Sequence, residues 1–169
     1  MDVKERALAG ALSGFLGTFV LSALRVSLNK LGIVGATAPE QIVRRLEELG
    51  PLKTWSSRAQ QALMVAAHFG YGTGAGAIFG ALRREEGEGT ETSREHRGEQ
   101  GGAVSEAAVG ATLGILSWGA GWAGWLPIAG VHPAPWNQRT PKALLPVLDH
   151  AVFGAAWGLI YWILIRRRA

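Results

Sequence analysis

Four long apolar stretches alternate along this chain with charged or proline-bearing segments, at about residues 7–28, 60–82, 104–126 and 144–165. Each is as long as the roughly 20 residues a helix needs to cross the hydrocarbon of a bilayer. A helix of a water-soluble bundle keeps one polar face. These stretches are apolar or small all round, which predicts four membrane-spanning helices and an all-α, polytopic fold.

The segments between them differ in kind. The middle one, R-R-E-E-G-E-G-T-E-T-S-R-E-H-R-G-E-Q-G-G, has no apolar side chain. With nothing to bury against the entropy of ordering, residues 85–102 are expected to be a disordered tether, with His96 solvated within it. The first segment contains T-A-P-E followed by Q-I-V-R-R-L-E-E-L. Thr37 and Glu40 have the spacing of a capping box, and Ile42, Val43, Leu46 and Leu49 share one helical face. This predicts a short amphipathic helix on the membrane surface. The last segment carries Pro133, Pro135 and Trp136, then Thr140-Pro141 as the start of a second short surface helix.

The chain also repeats itself. When His68 is set on His150, Tyr71 falls on Phe153, Gly72 on Gly154, Gly76 on Gly158, Phe79 on Tyr161 and Arg84 on Arg166. Upstream, Ala7, Gly10, Ala11, Gly14 and Leu16 recur as Ala107, Gly110, Ala111, Gly114 and Leu116. The expected organisation is two tandem helical hairpins, residues 1–84 and 103–169, in parallel orientation and joined by the tether. The first stretch has the basic start of a signal peptide, at Lys4 and Arg6, but lacks an A-x-A site and belongs to the repeat.

Composition sharpens this picture. Of 169 residues 48% are hydrophobic and the formal charge is +4, but the basic residues gather at span ends: Arg83 and Arg84, then Arg166 to Arg168. That placement suits lipid headgroups rather than nucleic acid, and it favours both termini in the cytoplasm. The absence of cysteine removes disulfides and thiolate sites.

Glycine, with 24 residues, is the commonest packing device. Helices in lipid associate through close backbone contact, which small residues at i and i+4 permit. Gly10/Gly14, Gly72/Gly76, Gly110/Gly114 and Gly154/Gly158 all have that spacing. The run G-Y-G-T-G-A-G lacks the strand and distal acid of a dinucleotide fingerprint and the full motif of a potassium filter.

His68, Tyr71, Gly72, Gly76 and Phe79 lie within about 60–80° on one helical face, and His150, Phe153, Gly154, Gly158 and Tyr161 form the counterpart. Both stripes are expected to face the bundle interior. Three readings follow for the histidines: hydrogen-bonded packing residues, a proton- or solute-handling site in a cavity between the repeats, or bis-histidine haem ligation. Arg25 and Asp149, at similar depth, join the second as supporting charges, Asp149 pairing with Arg25 or tuning an imidazole; the plain alternative is an interfacial salt bridge with Arg25 snorkelling to the headgroups. No cofactor other than that haem option and no metal site is indicated. Trp118, Trp122 and Trp125 form an i, i+4, i+7 stripe, while Trp125, Trp136 and Trp55 suit an interfacial belt. His132 is expected to be exposed in its loop. No nucleophile–base pair, zinc motif or phosphate loop is present, so no enzymatic activity is predicted.

The motifs L-P-I-A-G-V-H-P-A-P-W and D-H-A-V-F-G-A-A-W-G-L-I-Y-W-I-L-I-R-R resemble the YagU-like family of small bacterial inner-membrane proteins. H-F-G-Y-G carries the likeness more loosely into the first half. The resemblance implies a four-span protein of the bacterial inner membrane and brings no mechanism with it. The expected partners are the bilayer and either a second copy or a membrane protein; nucleic acid is not among them.

Overall fold

The computed structural model describes residues 1–30, 32, 36–83, 99–138 and 140–167. Every regular element among them is helical: α1 (Val3–Lys30), α2 (Ala38–Glu48), α3 (Ser57–Leu82), α4 (Glu99–Trp118), a π-helical stretch (Gly119–Trp125), α5 (Leu126–Ile128), a 3-10 turn (Pro135–Asn137) and α6 (Thr140–Arg166). Among the described residues, four helical stretches are long and apolar enough to cross a membrane: Val3–Lys30, Ser57–Leu82, Gly102–Ile128 and Leu144–Arg166. Their outward faces carry bare apolar side chains, among them Leu8, Phe19, Val65, Ile78, Leu116 and Leu148. Lipid, unlike water, exacts no penalty for such a surface. These features make the protein a multi-pass membrane protein whose described residues form helices and no strand.

Glycine decides how the helices meet. A methyl group added at Gly10 would overlap the Gly76 carbonyl, one at Gly14 the Gly72 carbonyl and one at Gly80 the Arg6 carbonyl. Ascending positions on α1 thus meet descending positions on α3, and the two run antiparallel in backbone contact. The same holds for α4 and α6, where Gly110 meets Gly154, Gly114 meets the His150 carbonyl, and Gly158 meets Glu106. The pairs join through α1 and α6, with Gly17 against Trp157 and Phe153. Between α3 and α4 the links are side chains: Tyr71 Oη and Ser117 Oγ at 2.8 Å, and an Arg83–Glu106 ion pair. Ala9, Leu21, Phe79, Phe153, Trp157 and Tyr161 form the core.

Helix ends follow local chemistry. Thr37 and Glu40 close both hydrogen bonds of the predicted capping box at the start of α2. Val43 is buried, but Leu49, predicted to share its face, lies at the helix end and is exposed. At the end of α5, Val131 N–H reaches the Leu126 carbonyl and Gly130 N–H the Pro127 carbonyl, with Gly130 at φ +68°. This is a Schellman closure, and its left-handed residue suits glycine.

Several expectations need correction. Thr140 opens α6 itself, which runs unbroken to Arg166, rather than a separate surface helix. The helix containing α4 begins at Glu99, so residues 99–102 are helical rather than part of a tether; residues 84–98, and His96 with them, lie outside the described residues. Tyr71 is 58% exposed and not interior, because the close α1–α3 approach centres on Gly72 and Gly76 and pushes position 71 to the edge. The tryptophan stripe does not form one face: the π-helical stretch resets the angular spacing, leaving Trp122 buried and Trp125 exposed. Trp55, Trp125 and Trp136 are all exposed.

Candidate functional site: a buried ion pair beside two histidines

The end of the bundle that carries α2 and the proline-rich loop holds its most polar interior. Arg25 lies near the close of α1, His68 about three turns into α3, and Asp149 and His150 about as far into α6. Arg25 Nη2 stands 2.7 Å from Asp149 Oδ2. Asp149 is 2% exposed, so the carboxylate is held inside apolar helices by this one guanidinium. The contact has the distance of an ion pair but not the angle of a good hydrogen bond, and the distance decides the electrostatics.

The histidines flank this pair. Arg25 is near enough to act electrostatically on both imidazoles, and Asp149 and His68 both act on His150. The structure therefore brings together all four residues singled out in the sequence. His150 Nδ1 lies 2.7 Å from the Pro146 carbonyl, four residues back along α6. A carbonyl can only accept, so Nδ1 carries the proton and Nε2 of the neutral ring holds the lone pair. His68 Nε2 lies 3.2 Å from Ser22 Oγ, whose hydroxyl also lies 2.8 Å from the Thr18 carbonyl. With the one hydroxyl proton on that carbonyl, Ser22 accepts from His68 Nε2–H.

Ser22 and Pro146 were not anticipated. Ser22 could have been found as a polar residue one turn before Arg25 inside a span. Pro146, at i−4 from His150, leaves α6 helical although proline cannot donate to the ladder. Such breaks are tolerated where neighbouring helices surround them.

The two histidines do not occupy matching places in their helix pairs. His150 lies with its carbonyl over Gly114, whereas the carbonyl over Gly14 is that of Gly72, four residues beyond His68. The α4–α6 contact is thus set one helical turn away from the register that aligning His68 with His150 implies. Toward the chain termini aromatics from α6 fill the interior beside two buried hydroxyls of α1, Thr18 and Ser13, which donate to the Gly14 and Gly10 carbonyls. Phe153, Trp157 and Tyr161 follow His150 down α6, with Phe79 packed on Trp157 at 5.0 Å and on Tyr161 at 5.1 Å between ring centres.

His132 departs from expectation. It is only 8% exposed, its ring lying 4.0 Å from that of buried Trp122 and Nδ1 2.7 Å from the Pro133 carbonyl. Burying the imidazole face on indole covers apolar area of both rings, which an extended loop would leave open. Among the described residues, no group of three or more His, Cys, Asp or Glu is placed to hold a metal ion. Ligation of one iron through both Nε2 atoms would require His68 to leave Ser22. No family model, curated protein or solved structure matches the chain.

Proposed function

We propose that this chain is a bacterial inner-membrane protein, of the kind the YagU-like resemblance implies, that handles a proton or a small solute at the Arg25–Asp149–His68–His150 cluster. The observation that carries the reading is the buried ion pair with two imidazoles beside it. Ionisable groups inside spans are costly and are retained mainly where they serve a pathway or site. A packing role alone would be met by neutral hydrogen-bonding residues at less cost.

In this reading the architecture is two parallel helical hairpins, α1 with α3 and α4 with α6, descended from one repeat and packed one turn out of step. The span-end arginines favour both termini in the cytoplasm, which in this reading sets the cluster in the periplasmic half. Purified protein in liposomes, loaded with a pH-sensitive dye or candidate solutes, tests the function. Flux, or proton uptake by the protein itself read from its histidine ring signals, that disappears in the His68→Asn/His150→Asn double variant is the expected result. Unchanged behaviour in that variant sinks it.

A second reading is a non-catalytic structural or partner-binding subunit, favoured by the backbone-close glycine contacts that make a rigid bundle. It requires a stable oligomer or membrane partner in a pull-down from native membranes. Haem ligation is the minor third option. It requires a Soret band in the purified protein that is lost in His68→Ala or His150→Ala.

A further inference from the structure

We infer that the species taken up by this cluster is the proton, that His150 Nε2 is its first acceptor, and that exchange is confined to the end of the bundle bearing α2. The inference rests on the proposed proton or solute reading and chooses between its two halves.

The hydrogen bonds set distinct roles for the imidazoles. Pro146 holds His150 Nδ1–H, so an arriving proton adds to the Nε2 lone pair, and the resulting imidazolium keeps its bond to the carbonyl. His68 is tied through Nε2–H to Ser22, so its free lone pair is on Nδ1; its 3.2 Å bond to a hydroxyl holds an imidazolium less well than the 2.7 Å bond of His150 to a carbonyl, which makes it the second acceptor. The charged and titratable groups acting on these rings are Arg25 from α1, Asp149 from α6 and the other histidine. Arg25 and Asp149 neutralise each other, leaving the carboxylate committed to the guanidinium and the imidazoles as the groups free to change charge.

Geometry supplies the direction. Both histidines are only half-buried, whereas the next residues down α6 toward the termini, Phe153, Trp157 and Tyr161, are 3%, 4% and 1% exposed. His150 to Tyr161 is about 16 Å of helix at 1.5 Å per residue. Over that length Phe79 closes on Trp157 and Tyr161. The backbones of Gly14 and Gly72 are in contact on the adjoining side. A solute has no room to pass, and the buried hydroxyls beside these aromatics, Thr18 and Ser13, each donate to a carbonyl of α1, which leaves no continuous run of exchangeable protons. A proton entering from the α2 end leaves by the same end, as in a sensor.

The experiment uses full-length protein with ¹⁵N-histidine in liposomes of fixed internal pH, a pH dye inside, and external pH stepped from about 8 to about 5. The orientation of insertion is read from external maleimide labelling of Lys53→Cys, since the chain has no cysteine of its own. The His150 ring signal is assigned by its loss in His150→Gln or, where that variant does not insert, by its correlation to Asp149 in a sample also carrying ¹³C-aspartate and ¹³C-histidine. The expected result has three parts. His150 Nε2 gains a proton in molecules with the α2 end outward, Nδ1 stays protonated throughout, and the dye responds no faster than in empty vesicles. Proton flux that the His68→Asn/His150→Asn variant loses would overturn one-sided exchange while leaving the proposed function standing. Imidazole signals unmoved across the range would overturn the proton assignment. If solute flux then persists and depends on both histidines, the proposed function survives without it; if nothing moves, both fall.

Discussion

At Gly14 a single methyl group is the difference between contact and collision. Its Cβ would overlap the Gly72 carbonyl, a backbone atom that no side-chain rotation can withdraw. Gly14→Ala is therefore expected to destabilise the folded protein by about 1–3 kcal/mol through overpacking. Gly74, on the same helix as Gly72, has nothing within 4 Å of an added Cβ. Gly74→Ala should be neutral or slightly stabilising, since alanine is the better helix former. Denaturation in mixed micelles with rising detergent denaturant measures both, and equal losses would refute the packing account. At the ion pair, Asp149→Asn leaves Arg25 without its counter-charge inside the helices. Removing one partner of a buried pair costs on the order of 3–5 kcal/mol. The double variant Arg25→Gln/Asp149→Asn should lose less than Asp149→Asn alone, a sign that only a direct pair interaction produces.

Among the elements, α2 is the one whose local chemistry is complete without its neighbours. Its capping box satisfies Glu40 N–H and Thr37 N–H reciprocally. Thr37→Ala should cost about 1 kcal/mol of helix stability, seen as faster amide exchange over Ala38–Gln41 with α1 and α3 unaffected. The stretch from α4 to α5 follows another rule. Leu126 N–H bonds back to the Gly121 carbonyl, and Pro127 follows without a donor of its own, so the ladder widens to π spacing over a glycine-rich sequence. The length of the apolar stretches located the four spans to within a few residues, because span length is imposed by bilayer thickness. It could not see the π stretch, whose residues look helical at any pitch. Nor could it foresee that His132 would leave solvent for the face of Trp122, a contact between residues ten apart that only the chain reversal at Gly130 permits.

For the whole molecule, an even number of spans puts the ends of the chain together. Maleimide labelling of single cysteines at Asp2 and Arg167 should give one sidedness, and at Lys53 and Gln138 the other; in intact cells only the second pair is expected to label from outside if the termini are cytoplasmic. What the sequence determined alone was the number and extent of the spans, the α2 cap, and the four residues Arg25, His68, Asp149 and His150 as an unusual polar set. Those follow from local rules: hydropathy over one helix length, donor and acceptor spacing over one turn, and the cost of charge in lipid. Only the tertiary structure decided that Arg25 and Asp149 are paired. It alone brought Ser22 and Pro146 to the histidines, and set the two glycine contacts one turn apart in register. Register is a property of two surfaces, and stripes of glycine four residues apart fit one another equally well after a slip of one turn. The choice between those fits falls to the larger side chains around them, here Phe79, Phe153, Trp157 and Tyr161, whose packing no single helix contains.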